Sequence, residues 1–219
     1  MESTSQPTYA NNLDFPLLEY YTLVEREDFD YVYPPGDDSY LMLSVLYQEV
    51  ERGLVGQHDC IAEVGSGSGI LLAHFYSWLR SKNVEPRIAV ATDINIEACQ
   101  FSQKYYRLYN LPIESVCSSI LNNLRIRPSL ILCNPPYIPT EKEEMNKELS
   151  RLKNVVGQIN TNHRYERNRD NNLIAFSWVG GDDGLSVIWK LLNHVDWPCT
   201  MYFVLIGDNP IQKFNTRAK

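Results

Sequence analysis

From Tyr40 to Glu51 the apolar side chains fall at Leu41, Leu43, Val45, Leu46 and Val50, a spacing that predicts a helix with Asp37, Asp38 or Ser39 as its N-cap. Cys60 to Val64 is then a short apolar run halted by glycines, the pattern of a buried strand. Leu71, Leu72, Phe75, Trp78 and Leu79 recur at helical spacing between Ile70 and Arg80, and Arg87 to Thr92 returns to strand. The alternation continues with a helix from Asn95 to Asn110 and strands at Glu114 to Ser118 and Leu130 to Cys133. A helix from Gly184 to Val195 and a strand from Thr200 to Ile206 complete it. Strands alternating with helices at this spacing predict an α/β fold, a doubly wound and mostly parallel sheet with right-handed crossovers. Ligands of such a sheet bind beyond the carboxyl ends of its strands.

Two stretches stand outside this rhythm. Residues 1–32 mix aromatic rings with acids and are read as an N-terminal arm ahead of a domain over 33–219. Residues 141–172 hold 13 charged residues and 7 Asn, too polar a mixture for a core element, and are read as a charged surface insertion, disordered or partly helical near Glu141 to Leu152. Within it Arg151, Lys153, Arg164, Arg167 and Arg169 outnumber Glu166 and Asp170. That excess suits a solvated loop, or a contact surface for RNA or an acidic partner.

Composition bounds the function. A chain of 219 residues that is 44% apolar has room for one soluble domain with a sizeable core, since chains of this length bury about 70% of the surface they expose unfolded. The net charge of −7 opposes a sequence-independent grip on phosphate backbones and disfavours nucleic acid as a partner. Cysteines 60, 99, 117, 133 and 199 are odd in number and scattered through apolar runs, as reduced thiols of an intracellular protein would be. His58, His74, His163 and His194 form no ligand pattern with them, so no metal site is expected. The first 30 residues show no secretory pattern and no stretch approaches a membrane span. A cytoplasmic location, extending to the nucleus, is the expectation.

The chemistry concentrates after the strands. Glu63-Val64-Gly65-Ser66-Gly67-Ser68-Gly69 joins the first strand to the next helix, where glycines allow a sharp turn and a close ligand, and helix-start amides favour an anionic group. A dinucleotide fingerprint would need glycine where Ile70 stands, so that reading is set aside. Asp93, at the end of the second strand, is placed to accept both hydroxyls of a ribose, or else to cap the following helix together with Asn95. Asn134-Pro135-Pro136-Tyr137 follows the fourth strand; the prolines cannot donate ladder hydrogen bonds, so the chain leaves the sheet there. Asn134 can present its side-chain oxygen and Pro135 its carbonyl to the two N–H bonds of a planar amide or aromatic amine, and Tyr137 offers a ring for stacking. Such acceptors stabilise the positive charge that grows on a nitrogen as it attacks an electrophile.

The glycine loop, Asp93 and Asn134-Pro135-Pro136-Tyr137 together resemble the class I S-adenosylmethionine-dependent methyltransferases that act on planar nitrogen. Val32-Tyr33-Pro34-Pro35-Gly36-Asp37-Asp38-Ser39-Tyr40-Leu41 and Trp178-Val179-Gly180-Gly181-Asp182-Asp183-Gly184 resemble, more narrowly, the flanks of the eukaryotic and archaeal HemK-like glutamine methyltransferases. The resemblance covers residues 30–138 and 176–215. It implies a Rossmann-like sheet and methylation of a glutamine side chain in a translation release factor. By it, Ser39, Glu63, Gly65, Gly67, Asp93, Ser119 and Asn134 would hold S-adenosylmethionine, and Asn134, Pro135, Pro136 and Tyr137 would grip the acceptor, with Asn134, Pro135 and Tyr137 at the reacting nitrogen. It also implies a small zinc-binding activator subunit as a heterodimer partner. Ser119 stands where the family has an acid, the 141–172 segment is longer than the family's, and the chain stops soon after its fifth strand, where the family adds a strand hairpin. Alternatives within reach of the same residues are N6-methylation of adenine in DNA or RNA and a non-catalytic S-adenosylmethionine-binding protein.

Overall fold

The computed structural model describes residues 26–53, 58–122, 124–160 and 172–216. Most of the expected N-terminal arm and the stretch holding Arg164, Arg167 and Arg169 lie outside them. The chain divides into two compact units where the sequence suggests one domain: Met1–Asn134 with Asp196–Val204, and Pro135–Val195 with Leu205–Lys219.

The first unit is built on a five-stranded, wholly parallel sheet of β1 (Cys60–Val64), β2 (Ile88–Asp93), β3 (Ile113–Cys117), β4 (Leu130–Cys133) and β5 (Thr200–Phe203), in the order β3-β2-β1-β4-β5. Ile61 lies level with Ala89 and Leu130, and Ala89 with Ile113, so these four point to one face. They join the same apolar cluster as Leu43 and Leu46 of α1 (Asp37–Glu51), Leu72 and Phe75 of α2 (Ile70–Ser81) and Tyr105 of α3 (Ile96–Leu108). Leu43, Leu46, Leu72 and Phe75 are fully buried; truncating one such side chain costs about 2–5 kcal/mol. Ala62, Ile131 and Cys133 on the opposite face are buried as well, which explains why the central strands read as unbroken apolar runs rather than alternating ones.

The doubly wound Rossmann-like expectation holds, with small shifts at the ends. The helix before β1 starts at Asp37 with Gly36 as its N-cap, while Asp38 accepts a hydrogen bond from the Ser39 amide at 2.7 Å. β5 stops at Phe203 rather than Ile206, because its partner β4 ends at Cys133 and prolines follow within two residues. Its last link is the Val204 amide on the Cys133 carbonyl at 3.3 Å. Among the described residues no strand follows β5.

The second unit carries α4 (Lys142–Asn160) and α5 (Ser186–His194). α4 is longer than the partial helix expected to Leu152. Met145, Leu149 and Leu152 are half-buried and Glu148 and Val155 are buried, a stripe at helical spacing on an otherwise charged element.

Candidate active site

In the sheet, the direction of winding reverses between the parallel neighbours β1 and β4: successive connections step outward to β2 and β3, then the chain returns to the other side of β1. That reversal opens a crevice at the carboxyl ends of the two neighbouring strands. Gly65 follows β1 and Asn134 follows β4, so the glycine loop and the first residue of the proline motif meet there. A Cβ placed on Gly65 would stand 3.9 Å from the Asn134 carbonyl oxygen.

The loop is fastened by backbone bonds. The amides of Gly65 and Ser66 both donate to the Thr92 carbonyl, at 2.8 and 3.0 Å, and the Gly69 amide to the Ser66 carbonyl at 2.7 Å. Gly65, Gly67 and Gly69 have φ of 74°, 49° and 78°. Their roles differ: a side chain at Gly67 would point into open space, whereas one at Gly69 would collide with Ser102 and Tyr106 of α3.

Asp93 closes β2 and is half-buried. Its Oδ2 accepts from the Gly67 amide and its Oδ1 from the Asn95 amide, both at 2.8 Å, so one carboxylate ties the glycine loop to the start of α3. Burial pushes its carboxyl above the usual range, and the amides of Asn95 and Gly67 pull it back. Asn95 caps α3 by accepting from the Glu97 amide at 3.1 Å and donates through Nδ2 to the Tyr31 carbonyl at 2.8 Å. Of the two residues at this turn, Asn95 is the cap, while both oxygens of Asp93 accept from backbone amides around it.

Glu63 is 2% exposed, and its Oε2 accepts from the Leu72 amide in the first turn of α2 at 3.1 Å. Burial drives its carboxyl well above the ordinary range, the Leu72 amide opposes this, and Asp93 adds to it. Its visible work is to join β1 to α2. Ser119 lies just beyond β3, in a turn held by the Ser118 amide on the Asp93 carbonyl at 2.8 Å and the Asn122 amide on the Ser119 carbonyl at 3.2 Å.

Asn134 is the distinctive group. Its Nδ2 lies 3.5 Å from Ser39 Oγ, in the first turn of α1, while its Oδ1 is buried with no hydrogen-bond partner among the described residues. A buried acceptor left without a donor costs about 1–3 kcal/mol. The side chain therefore presents an acceptor that a ligand N–H would satisfy.

Pro135, Pro136 and Tyr137 begin the second unit, where two segments lock their backbone. Ile138 donates to the Trp178 carbonyl at 3.3 Å and accepts from the Gly180 amide at 2.9 Å, in a parallel bridge with Val179. A Cβ on Gly184 would collide with the Tyr137 carbonyl, and one on Gly180 would lie 2.7 Å from the Pro136 carbonyl. Gly180 and Gly184 of the Trp178–Gly184 motif are thus accounted for by close approach of the proline loop. Asn209, which sequence reasoning did not single out, completes the clamp. Nδ2 donates to the carbonyls of Tyr137 and Asp183 at 3.0 and 3.3 Å, and Oδ1 accepts from the Ile206 amide at 3.0 Å. The available signal was Asp208-Asn209-Pro210, a turn-forming run directly after a strand segment.

Comparison with known proteins agrees with this geometry. The eRF1 methyltransferase catalytic subunit mtq2 of Schizosaccharomyces pombe is 28% identical over 181 residues, covering 77% of this chain and 68% of that protein. Methyltransferase HEMK2 of Mus musculus is 32% identical over 130 residues, 57% of this chain and 58% of that protein. A candidate protein N5-glutamine methyltransferase of Methanocaldococcus jannaschii is 30% identical over 113 residues, 52% of this chain and 51% of that protein. The chain thus spans little more than half of the mouse and archaeal relatives. Residues 37–155, more than half the chain and the part that holds the glycine loop, Asp93 and the Asn134–Tyr137 turn, match the methyltransferase small domain, and the chain belongs to that family.

Proposed function

We propose that this chain transfers the methyl group of S-adenosylmethionine to the side-chain amide nitrogen of a glutamine in a translation release factor. The observation that carries the reading is the buried Oδ1 of Asn134, without a partner among the described residues, at the crevice between β1 and β4. A primary amide has two N–H donors to offer such an acceptor. The relatives named for eRF1 and for protein N5-glutamine methylation support the same acceptor.

The residues present fit the methyl donor. Asp93 offers a half-buried carboxylate to ribose hydroxyls, the space beside Gly67 is open, and the start of α2 suits an anionic carboxylate. Ser39, Gly65 and Ser119 line the same carboxyl-terminal edge. When bound, S-adenosylmethionine supplies a methyl group on a positively charged sulfur. Asn134 Oδ1, joined by the Pro135 carbonyl as the motif implies, holds the acceptor amide through its N–H bonds and stabilises the charge that grows on nitrogen. Tyr137 orients the flat amide, and the nitrogen sheds one proton to water as the new N–C bond replaces the C–S bond. Positioning rather than acid–base chemistry then governs the rate.

The partner of this reading is the release factor itself, with a small zinc-binding activator subunit as a second chain. The fission-yeast relative is likewise described as a catalytic subunit. The described helices include none long and apolar enough to cross a membrane, and the acceptor places the reaction in the cytoplasm.

The test is labelled methyl transfer by the full chain, co-expressed with the activator subunit, onto release factor and onto the same factor with its acceptor glutamine replaced by alanine. Label on the first and not the second is expected. Label entering DNA or RNA instead, or no transfer together with no binding of S-adenosylmethionine, would overturn the proposal in favour of adenine methylation or of a non-catalytic protein.

A further inference from the structure

α3 and β3 meet through a repeating pair of contacts. Residues 113, 115 and 117 of β3 point to one side, and Ser115 Oγ lies 2.8 Å from Ser102 Oγ of α3. One helical turn before Ser102 stands Cys99, and two residues after Ser115 stands Cys117. The register that joins two hydroxyls therefore brings two thiols to the same side of the strand one rung further on. Their sulfurs rest on successive carbonyls of one turn: Cys99 Sγ is 3.5 Å from the Asp93 oxygen and Cys117 Sγ is 3.7 Å from the Ile94 oxygen.

The two differ in access. Of the five free cysteines Cys117 is the exposed one, whereas Cys99 is buried with 6% exposure. They differ in proton affinity too. The neighbouring Cys99 thiol lowers the Cys117 thiol below its usual range, against burial and the Asp93 charge, while the neighbouring Cys117 and burial raise Cys99. The accessible sulfur is thus the more nucleophilic, and the protected one holds the proton.

We propose that Cys99 and Cys117 form a modification site that closes to a disulfide on reaction with a small-molecule disulfide. Cys117 thiolate attacks one sulfur of the reagent, forming a mixed disulfide and releasing one thiolate. Cys99 then loses its proton to that thiolate or to water and attacks Cys117 Sγ, releasing the second thiolate, which is protonated. The chain loses two protons and two electrons, and the reagent is reduced to two thiols. Once Cys117 is capped, the main cause holding the proton on Cys99 is gone, which favours the second step. The new bond, about 2.05 Å long, pins the first turn of α3 to the end of β3 on either side of the Asp93–Ile94 turn.

The site is independent of the methyl-transfer reading because it is read by mass. The full chain, folded, is incubated with oxidised glutathione, alkylated and mapped without reduction. The expected result is loss of two hydrogens, one linked peptide pair carrying residues 99 and 117, and reversal by dithiothreitol. C99S stops at a glutathione adduct on Cys117, and C117S leaves Cys99 unmodified. A stable glutathione adduct at Cys117 in the unaltered chain, a link through Cys60, Cys133 or Cys199, or no reaction at all would each overturn the assignment, and the unaltered chain alone decides it should a variant not fold.

Discussion

Asn209 and Tyr137 are tied by a hydrogen bond in which Nδ2 of Asn209 donates to the Tyr137 carbonyl at 3.0 Å, across 72 positions of sequence. Asn209 is 3% exposed and spends its other bonds on Asp183 and Ile206, so no water can take its place cheaply. Replacing it with alanine orphans two carbonyls and an amide. N209A is expected to lower unfolding stability by about 1–3 kcal/mol and to reduce turnover, read by urea denaturation and methyl transfer. N209D keeps the acceptor for Ile206 but loses both donors, and should resemble N209A rather than the parent.

Asn134 separates binding from chemistry. If Oδ1 acts chiefly on the nitrogen as charge develops, N134A lowers kcat by about 10²–10³ fold, with a much smaller change in cofactor affinity. Calorimetry beside steady-state kinetics checks this. Equal losses in both would assign the side chain to the cofactor alone.

The loop glycines should fail in different ways. G69A drives a Cβ against Ser102 and Tyr106 at a positive φ, so it destabilises the fold and lowers the melting temperature. G67A meets no atom and carries only the strain of its φ, about 1–2 kcal/mol. It should stay folded while cofactor affinity drops, because the added methyl occupies the open side of the loop. Thermal melts paired with titration calorimetry distinguish the two.

His74 makes the fold acid-sensitive. Its ring is fully buried, with Nδ1 2.8 Å from the Ile70 carbonyl, and burial lowers its pKa from 6.5 to about 4 against that hydrogen bond. Below the unfolded value the unfolded chain takes up a proton that the native ring refuses. The stability contribution is therefore complete above pH 6.5 and lost as pH falls toward 4, amounting to about 3 kcal/mol. H74Q should flatten the stability curve over that window relative to the parent, measured by urea denaturation at several pH values. An unchanged slope would show the ring protonated without cost.

The sheet was legible because β1 and β4 are buried on both faces and stand out as apolar runs between glycine and proline breaks. Gly65 and Asn134 could be placed beside the sheet for the same reason, each directly following a strand, and Asp93 because it closes one. α4 was under-read: its charged residues hide the Met145–Leu149–Leu152–Val155 stripe, and one narrow stripe raises the apolar content little. Glu63 entered the cofactor set through the family resemblance, and no sequence signal marked its bond to the Leu72 amide of α2, which depends on the face it takes in β1 between Ala91 and Leu132. Asn209 escaped notice because its partners lie far away in sequence.

The bonds from Gly67 and Asn95 to Asp93 mean that this carboxylate is set before any ligand arrives, so the loss of loop freedom falls on folding rather than on binding. On the proposed reading, what that carboxylate holds is a ribose, and the ribose is the same before and after the methyl group has left. Its contribution is then shared by donor and product and cannot help to tell them apart. On that same reading, the demethylated product would compete with the donor for this site, and the rate of transfer would answer to the ratio of the two as much as to the supply of acceptor.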